Sequence, residues 1–324
     1  MGAAHARAYR TAGAEIVGVA DVDESAAARL ANSCGARPVT APEALFDLGL
    51  DAVSICVPHN LHSHCALMAC ARGVHVLIEK PLAISMAEAL EMRNACRNSH
   101  IRFMMGFSQR FQAGFRDLKQ AIQRDALGSI VFSADYLSAG PWVPDWYLQR
   151  TAAGGGILIT GSIHAVDRLR WLIGSEVACV RAMAGGRSES AGVERTGAIL
   201  LDFHSGAQAA LIGYRSPLQF HKRTHWFEIH GTQGEAMVDL SEGSIARSLR
   251  IATSRETQEW TYPSDDPFET EIAEFVEAIQ SQRDPTPGVE DGLVSLAVIL
   301  AAYESARSGR AVDFRAWQKA YKPC

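Results

Sequence analysis

The sequence predicts an α/β domain on a parallel sheet, followed by an α+β domain whose sheet is largely antiparallel. Three observations lead there. Up to Phe107, short apolar runs alternate with helix-length segments at the pace of strand–helix–strand units. Beyond it, strand-like runs are joined by short turn sequences, as in hairpins. The length, 324 residues, suits about two domains that each bury a core.

Each element has its own signal. Ala3 to Ala12 reads as a helix closed by Gly13, and Glu15 to Ala20 as a strand ending at Asp21. Glu24 to Cys34 is an alanine-rich helix with Gly35 placed to end it in the left-handed conformation. Pro42 to Leu48 suggests a short helix, Asp51 to Val57 a buried strand, and Ser63 to Arg72 a helix stopped by Gly73. The strand Val74 to Ile78, a helix from Ser85 to Ser99 and the strand Arg102 to Gly106 complete the parallel part. Domain boundaries are therefore expected at 1–107 and 108–324.

In the second part, Gly114 to Arg124 is helical and Ser129 to Ser138 alternates like a strand. Thr196 to Phe203 and Ala207 to Arg215 pair around His204-Ser205-Gly206, and His225 to His230 pairs with Glu235 to Leu240 around 231–234. Asp266-Pro267-Phe268-Glu269 has the pattern of a helix start, with proline at the first helical position. Phe268, Ile272, Phe275 and Ile279 then share one apolar face, and Leu293 to Ser308 forms a last helix ended by Gly309.

Composition narrows the function classes. Hydrophobic residues make up 48% and charged residues 21%, the profile of an ordinary globular chain. A formal net charge of −5 offers no basic stripe, so nucleic acid and anionic membrane are not expected partners. No apolar run approaches the ~20 residues needed to span a bilayer. Met1 to Arg7 lacks the apolar core of a signal peptide, and Ala6 stands where a myristoylation motif needs serine or threonine. Seven cysteines, odd in number and without a Cys-x-x-Cys pair, suit reduced thiols and a cytoplasmic setting. His59, His62, His64 and Cys65 cluster at a strand–helix junction, but no converging set of four ligands is evident, so no metal is expected.

Two motifs carry chemistry. Val74-His75-Val76-Leu77-Ile78 is a buried-strand run that ends in Glu79-Lys80-Pro81, and ligands of open α/β sheets bind at the carboxyl ends of such strands. The plain alternative is a surface ion pair closing a strand. Gly154-Gly155-Gly156 then precedes a helical segment carrying Thr160, His164 and Asp167 at spacings that place them on one face. In order and spacing the two resemble the Gfo/Idh/MocA family of nicotinamide-dependent sugar enzymes. The likeness includes Val53 to Pro58 with His62, the stretch Gly106 to Phe111, and Tyr303-Glu304-Ser305-Ala306 with Gly309-Arg310. It covers nearly the whole chain and implies a Rossmann-like first domain. It also implies a second domain whose sheet supports a homo-oligomer, a dimer or tetramer.

The chain opens at Met1-Gly2-Ala3-Ala4-His5, which matches only the last glycine of a Gly-x-Gly-x-x-Gly loop. An apolar strand and two glycines are therefore expected in the coding sequence upstream, the rival being a protein that has lost its cofactor loop. Asp21 follows Gly2 at close to the ~20-residue interval of the acid that bonds the adenosine ribose. With Val22 after it rather than arginine, and a carboxylate that repels a 2′-phosphate, NAD is favoured over NADP. Asp23 is the better candidate for the cap of the following helix.

The resemblance implies roles for single residues. His164 would accept the hydroxyl proton of an alcohol, and Lys80 would hydrogen-bond the same oxygen. Glu79 would orient Lys80, and Gly2, Pro58, His62 and Pro81 would line the cofactor. Many members have aspartate where this chain has Thr160, and glycine where it has Ser162. A hydroxyl can orient the imidazole but cannot support its protonated form. Arg110, Trp142, Trp146, Tyr147 and Arg150 lie in stretches that would flank a sugar, with Asp167 structural. The expected activity is NAD-dependent oxidation of a sugar, polyol or cyclic alcohol. The alternatives are a lyase or glycosidase-like enzyme that oxidises only transiently, and a cofactor-free binding protein.

Overall fold

The computed structural model describes all residues except Trp142, 187–191, 242–244 and 321–324. In chain order the helices and strands are α1 Gly2–Thr11, β1 Gly18–Ala20, α2 Glu24–Cys34, β2 Arg37–Val39, α3 Pro42–Phe46, β3 Ala52–Ile55, α4 His62–Ala71, β4 His75–Glu79, α5 Met86–Ser99 and β5 Phe103–Gly106. Next come α6 Ala113–Gln123, β6 Ile130–Ala139, α7 Arg150–Ala153, α8 Ile163–Ile173, β7 Val177–Gly185, β8 Thr196–Phe203, β9 Gln208–Arg215, β10 Thr224–Gly231, β11 Gly234–Asp239, β12 Ser248–Thr253 and β13 Thr257–Thr261. Then follow α9 Pro267–Gln280, α10 Val289–Ser308, β14 Val312–Asp313 and α11 Phe314–Lys319.

The chain forms two compact units. The first comprises Met1–Ala83, Ala87–Ser108 and Phe268–Leu293. Its parallel strands fall in two sheets, β1–β2 and β3–β4–β5, with no ladder joining β1 to β3. Helix α1 packs on β3 instead, where Tyr9 Oη and His5 Nδ1 lie 3.0 and 3.1 Å from Ser54 Oγ. Val76, Leu77 and Ile78 of β4 are fully buried, as an unbroken apolar run covered on both faces requires. Asp23 caps α2 by accepting from Ser25 N and Ala26 N, and Gly35 closes that helix in the left-handed region.

The segment 268–293 belongs to this first unit, whereas the change of pattern in the sequence assigns everything after 107 to the second. Its apolar face is the cause: Ile272 and Phe275 are fully buried, and Phe268 packs its ring 5.7 Å from that of His5. Pro287 O also accepts from Met105 N at 2.9 Å, and Asp284 pairs with Arg102 at 2.7 Å.

The second unit comprises Ile84–Met86, Gln109–Pro267 and Val294–Cys324. Its nine strands run in the order β13-β12-β11-β10-β6-β9-β8-β7-β14. Every pair is antiparallel except β6 with β9, so the sheet is mixed at one place. The hairpins β8–β9 and β10–β11 turn where their sequences foretell. The strands β7 and β13 carry no clean alternation of apolar and polar residues, and β12 alternates only over Ser248 to Ile251, too briefly for the sequence to announce it. Under the sheet lies Arg168, fully buried between the rings of Phe115 and Phe227 at 4.6 Å from each. It donates to Asp135 and Gln109, and His225 Nε2 lies 3.3 Å from the same Asp135 oxygen.

Candidate active site

In the first unit the chemistry gathers at the carboxyl end of β4. Glu79 is the last strand residue, Lys80 is half-buried and Pro81 is buried. Glu79 Oε1 lies 3.2 Å from His5 Nε2, whose other ring nitrogen faces Ser54 and, at 3.8 Å, the Cys56 sulfur. Burial opposes the His5 imidazolium, but the Cys56 and Glu79 interactions outweigh it and raise its pKa well above the histidine range. Burial likewise opposes the Glu79 carboxylate, which the His5 hydrogen bond and the His5, Lys80 and His62 charges hold below the usual range. Glu271 of α9 is fully buried, and neither carboxyl oxygen has a hydrogen-bond partner. Burial first, and the Glu79 charge second, push its pKa well up, which favours the neutral acid.

His62 fixes the loop that follows. Its Nδ1 lies 2.7 Å from Pro81 O and its Nε2 3.1 Å from Val57 O, tying the end of β4 to the loop containing Pro58. Burial lowers the His62 pKa, and the two carbonyls offset part of that. The ring is thus held by main chain; His64, in turn, is exposed and 3.8 Å from Glu43. Among the described residues, no group of three or more histidine, cysteine or acidic side chains could hold a metal ion.

These residues fit a dinucleotide. Helix α1 has no acid in its first turn and no side-chain cap, so its N-terminal amides suit an anion such as a pyrophosphate. A Cβ on Gly2 would meet only Leu30, at an ordinary 3.7 Å. Asp21 is exposed just past β1; its Oδ1 accepts from Asp23 N at 2.9 Å, and its other oxygen suits a ribose hydroxyl.

In the second unit the three glycines are explained by close packing. A Cβ on Gly155 would overlap the Tyr303 hydroxyl, and one on Gly156 the Glu194 carbonyl oxygen. The buried Glu194 carboxylate accepts from Gly156 N at 2.9 Å, Leu158 N at 3.1 Å and Tyr303 Oη at 2.8 Å. Burial, with Glu194 adding to it, pushes the Tyr303 phenol well above its ordinary value.

Leu158–Ser162 then forms a π-helical turn that leads directly into α8. Such widened turns recur at functional sites. Within it, Thr160 donates to Gly156 O at 2.7 Å and accepts from Arg215 Nη2 at 3.3 Å. His164 is half-buried in the first turn of α8. The spacing of Thr160, His164 and Asp167 puts them on one face of a regular helix; the π turn changes that geometry.

Asp167 is buried and takes both arms of the Arg110 fork, at 2.6 and 2.8 Å. Arg110, expected beside a substrate, is therefore committed to a buried bidentate ion pair. Trp146 and Tyr147 lie in a short 3₁₀ turn with ring centroids 4.3 Å apart, and Arg150 is exposed with its guanidinium 5.9 Å from the Tyr303 ring centre. Trp142 falls outside the described residues. Sequence reasoning passes over His5, Glu194, Arg215 and Glu271. No local pattern marks them, since each matters through partners distant in sequence.

Comparison with known proteins places the whole chain. Residues 1–107 match the family described as the oxidoreductase family, NAD-binding Rossmann fold, and residues 119–314 match its C-terminal alpha/beta domain. A 1,5-anhydro-D-fructose reductase from Ensifer adhaerens is 31% identical, over 94% of this chain and 93% of that protein. An inositol 2-dehydrogenase from Rhizobium meliloti is 28% identical, over 97% and 96%. A levoglucosan dehydrogenase solved with NADH and levoglucosan shares the fold, with a TM-score of 0.87 at 24% identity over 97% and 96% of the two chains. A parallel-stranded Rossmann-like part, a large mixed sheet and two family matches lead to one conclusion: this chain belongs to the Gfo/Idh/MocA family of oxidoreductases and has its NAD-binding Rossmann domain.

Proposed function

We propose that the protein is an NAD-dependent dehydrogenase acting on a secondary hydroxyl of a sugar, polyol or cyclic alcohol. The observation that carries this reading is how Lys80 is framed. It sits at the carboxyl end of a fully buried parallel strand, between Glu79, held by His5, and Pro81, held by His62. A lysine on so rigid a support is a preorganised donor rather than a loose surface charge.

NAD, when bound, accepts the hydride that leaves the alcohol carbon. Gly2 and the α1 N-terminus would hold its pyrophosphate and Asp21 its adenosine ribose, and Pro58, His62, Glu79 and Pro81 would shape the loops around it. The Asp21 carboxylate disfavours a 2′-phosphate, which selects NAD over NADP. His164 accepts the hydroxyl proton and Lys80 hydrogen-bonds the oxygen, so the alcohol loses one hydride and one proton and becomes a ketone. Thr160 positions the turn before His164, and Trp146 and Arg150 face the substrate. Arg110 is left out, because its fork is spent on Asp167.

The reading extends to assembly. On the nine-stranded sheet, Met183, Leu200 and Ile212 are 76%, 51% and 47% exposed, and Tyr136 stacks on Trp226 beside them. An apolar sheet face of this kind suits a homodimer or a tetramer built from it. No described helix is long and apolar enough to cross a membrane. The described cysteines are free thiols, in keeping with a cytoplasmic setting.

The test is NADH formation over a panel of sugars and polyols. Lys80→Ala and His164→Ala are each expected to lower turnover about 10²–10⁴-fold, the range of a positioned proton-transfer group. His164→Ala at near-full activity would return His164 to a structural role. Ile212→Glu is expected to reduce the mass measured by light scattering; unchanged assembly removes the sheet face from the interface.

A further inference from the structure

The second unit holds a cation to which its own side chains give no salt bridge. Arg215 ends β9 and is half-buried, and its guanidinium makes one hydrogen bond, from Nη2 to the neutral Thr160 hydroxyl at 3.3 Å. Among the described residues, no carboxylate lies within ion-pair range of it. The acid of this neighbourhood, Glu194, favours the Arg215 charge from a distance but gives its hydrogen bonds to Gly156 N, Leu158 N and Tyr303 Oη. Arg195 and Arg223 add positive charge around it. Burial first, then those two arginines, work against the Arg215 charge, and Tyr147 and Glu194 offset part of that.

A guanidinium keeps its proton and carries five donors in a rigid fork. With a single long bond to a hydroxyl, most of that fork is left open to an anion that reaches it. Its position ties that unmet bonding to the chemistry. Thr160 comes four residues before His164, so Arg215 reaches the helical run in the π turn that leads into the helix carrying the proposed proton acceptor.

We propose that the substrate is an acid: a sugar or polyol bearing a carboxylate, such as a uronate or an aldonate, whose carboxylate is bound by Arg215. The planar fork matches two coplanar oxygens, which favours a carboxylate over a tetrahedral phosphate with a third oxygen to satisfy. Thr160 is then a specificity residue by what it lacks. A carboxylate at that position would pair with Arg215 and remove its charge from the substrate. The inference rests on the dehydrogenase reading for its reaction but not for its binding.

The experiment measures both. Matched pairs, D-glucose with D-glucuronate and D-galactose with D-galacturonate, together with D-gluconate and D-glucose 6-phosphate, are titrated calorimetrically against the full chain with and without NAD. The same compounds are assayed for NADH. The acids are expected to bind about 10–100-fold more tightly than their neutral partners, the range of a charge-assisted bond. Arg215→Gln is expected to abolish that difference, with melting curves showing that the variant is folded. Thr160→Asp, which leaves the arginine in place, is expected to shift preference to the neutral sugars. Equal binding of acid and neutral partners by the wild type, or a preference that survives Arg215→Gln, overturns the inference, as does tighter binding of the phosphate. Arg215-dependent acid binding without NADH from any compound would sink the dehydrogenase reading alone. Oxidation of neutral sugars with no acid preference would sink only the inference.

Discussion

The two units bury charge in opposite ways. In the first, Glu79 is bonded by His5 and faces the Lys80 charge, while the neighbouring Glu271 has no hydrogen-bond partner and a pKa pushed well up. In the second, core cations are matched, Arg168 by Asp135 and Arg110 by Asp167, while Arg215 has only a hydroxyl. An acid can shed its charge at moderate pH, whereas an arginine cannot. A raised carboxyl pKa therefore favours a neutral acid in the first unit, whereas Arg215 keeps its charge in the second and, in the proposal above, offers it to an anion.

The sharpest way to break this contrast is to spoil a matched pair. Arg168→Ala removes the filling between Phe115 and Phe227 and leaves Asp135 buried without its main counter-charge. Burial opposes the Asp135 carboxylate, and Arg168 and His225 hold it below its usual range. Breaking such a pair is expected to cost about 3–5 kcal/mol in denaturant unfolding. Arg168→Met with Asp135→Asn is expected to cost much less than the sum of the single changes, because neither charge remains. Additive losses would show that the pair is not coupled and that packing alone holds this region.

The raised Glu271 pKa can be tested through pH. Glu271 has a folded pKa raised above its unfolded value, so the folded state holds a proton that the unfolded state releases. Stability is then fully present below the unfolded pKa of about 4.3 and is lost at about 1.4 kcal/mol per pH unit until the folded pKa is passed. Glu271→Gln removes that loss, so its melting temperature is expected to match or exceed wild type by a margin that widens as pH rises. His5, also raised, adds a loss as pH climbs through its folded pKa, and the variant retains it. A margin that stays constant with pH would mean that Glu271 is ionised in the folded protein.

Much of this is legible in the sequence because it is local. The strand run ending at Glu79, the cap at Asp23, the left-handed Gly35 and the hairpin turns after Phe203 and Gly231 each depend on a few neighbouring residues. The return of 268–293 to the first unit is not legible, since an apolar helix face does not say which core it joins. Nor is the reason for Gly155 and Gly156, which answer to Tyr303 and to Glu194 far along the chain. Arg110 illustrates the same limit. Its type suits a substrate, and only the fold shows its fork closed on Asp167.

The smallest expected effect lies at Asp21, where charge meets solvent. Unlike Glu79 or Glu271, this carboxylate is exposed, and the pairing in question is with a ligand rather than with the protein. One oxygen is engaged by Asp23 N in the turn, which fixes the side chain's direction without neutralising it. Bonding of the second oxygen to a ribose hydroxyl is worth about 1.5–3 kcal/mol as a charge-assisted hydrogen bond, and repulsion of a 2′-phosphate adds to the discrimination. Asp21→Ser is expected to weaken NAD binding by about tenfold or more and NADP binding hardly at all, so the ratio of the two narrows. Its effect on unfolding should be slight, because a serine hydroxyl can still accept from the turn and no core contact is lost. Fluorescence titration with NADH and NADPH reads the ratio directly. Tighter binding of NADPH by the unmutated protein would remove Asp21 from the ribose, and with it the preference for NAD that its exposed charge supports.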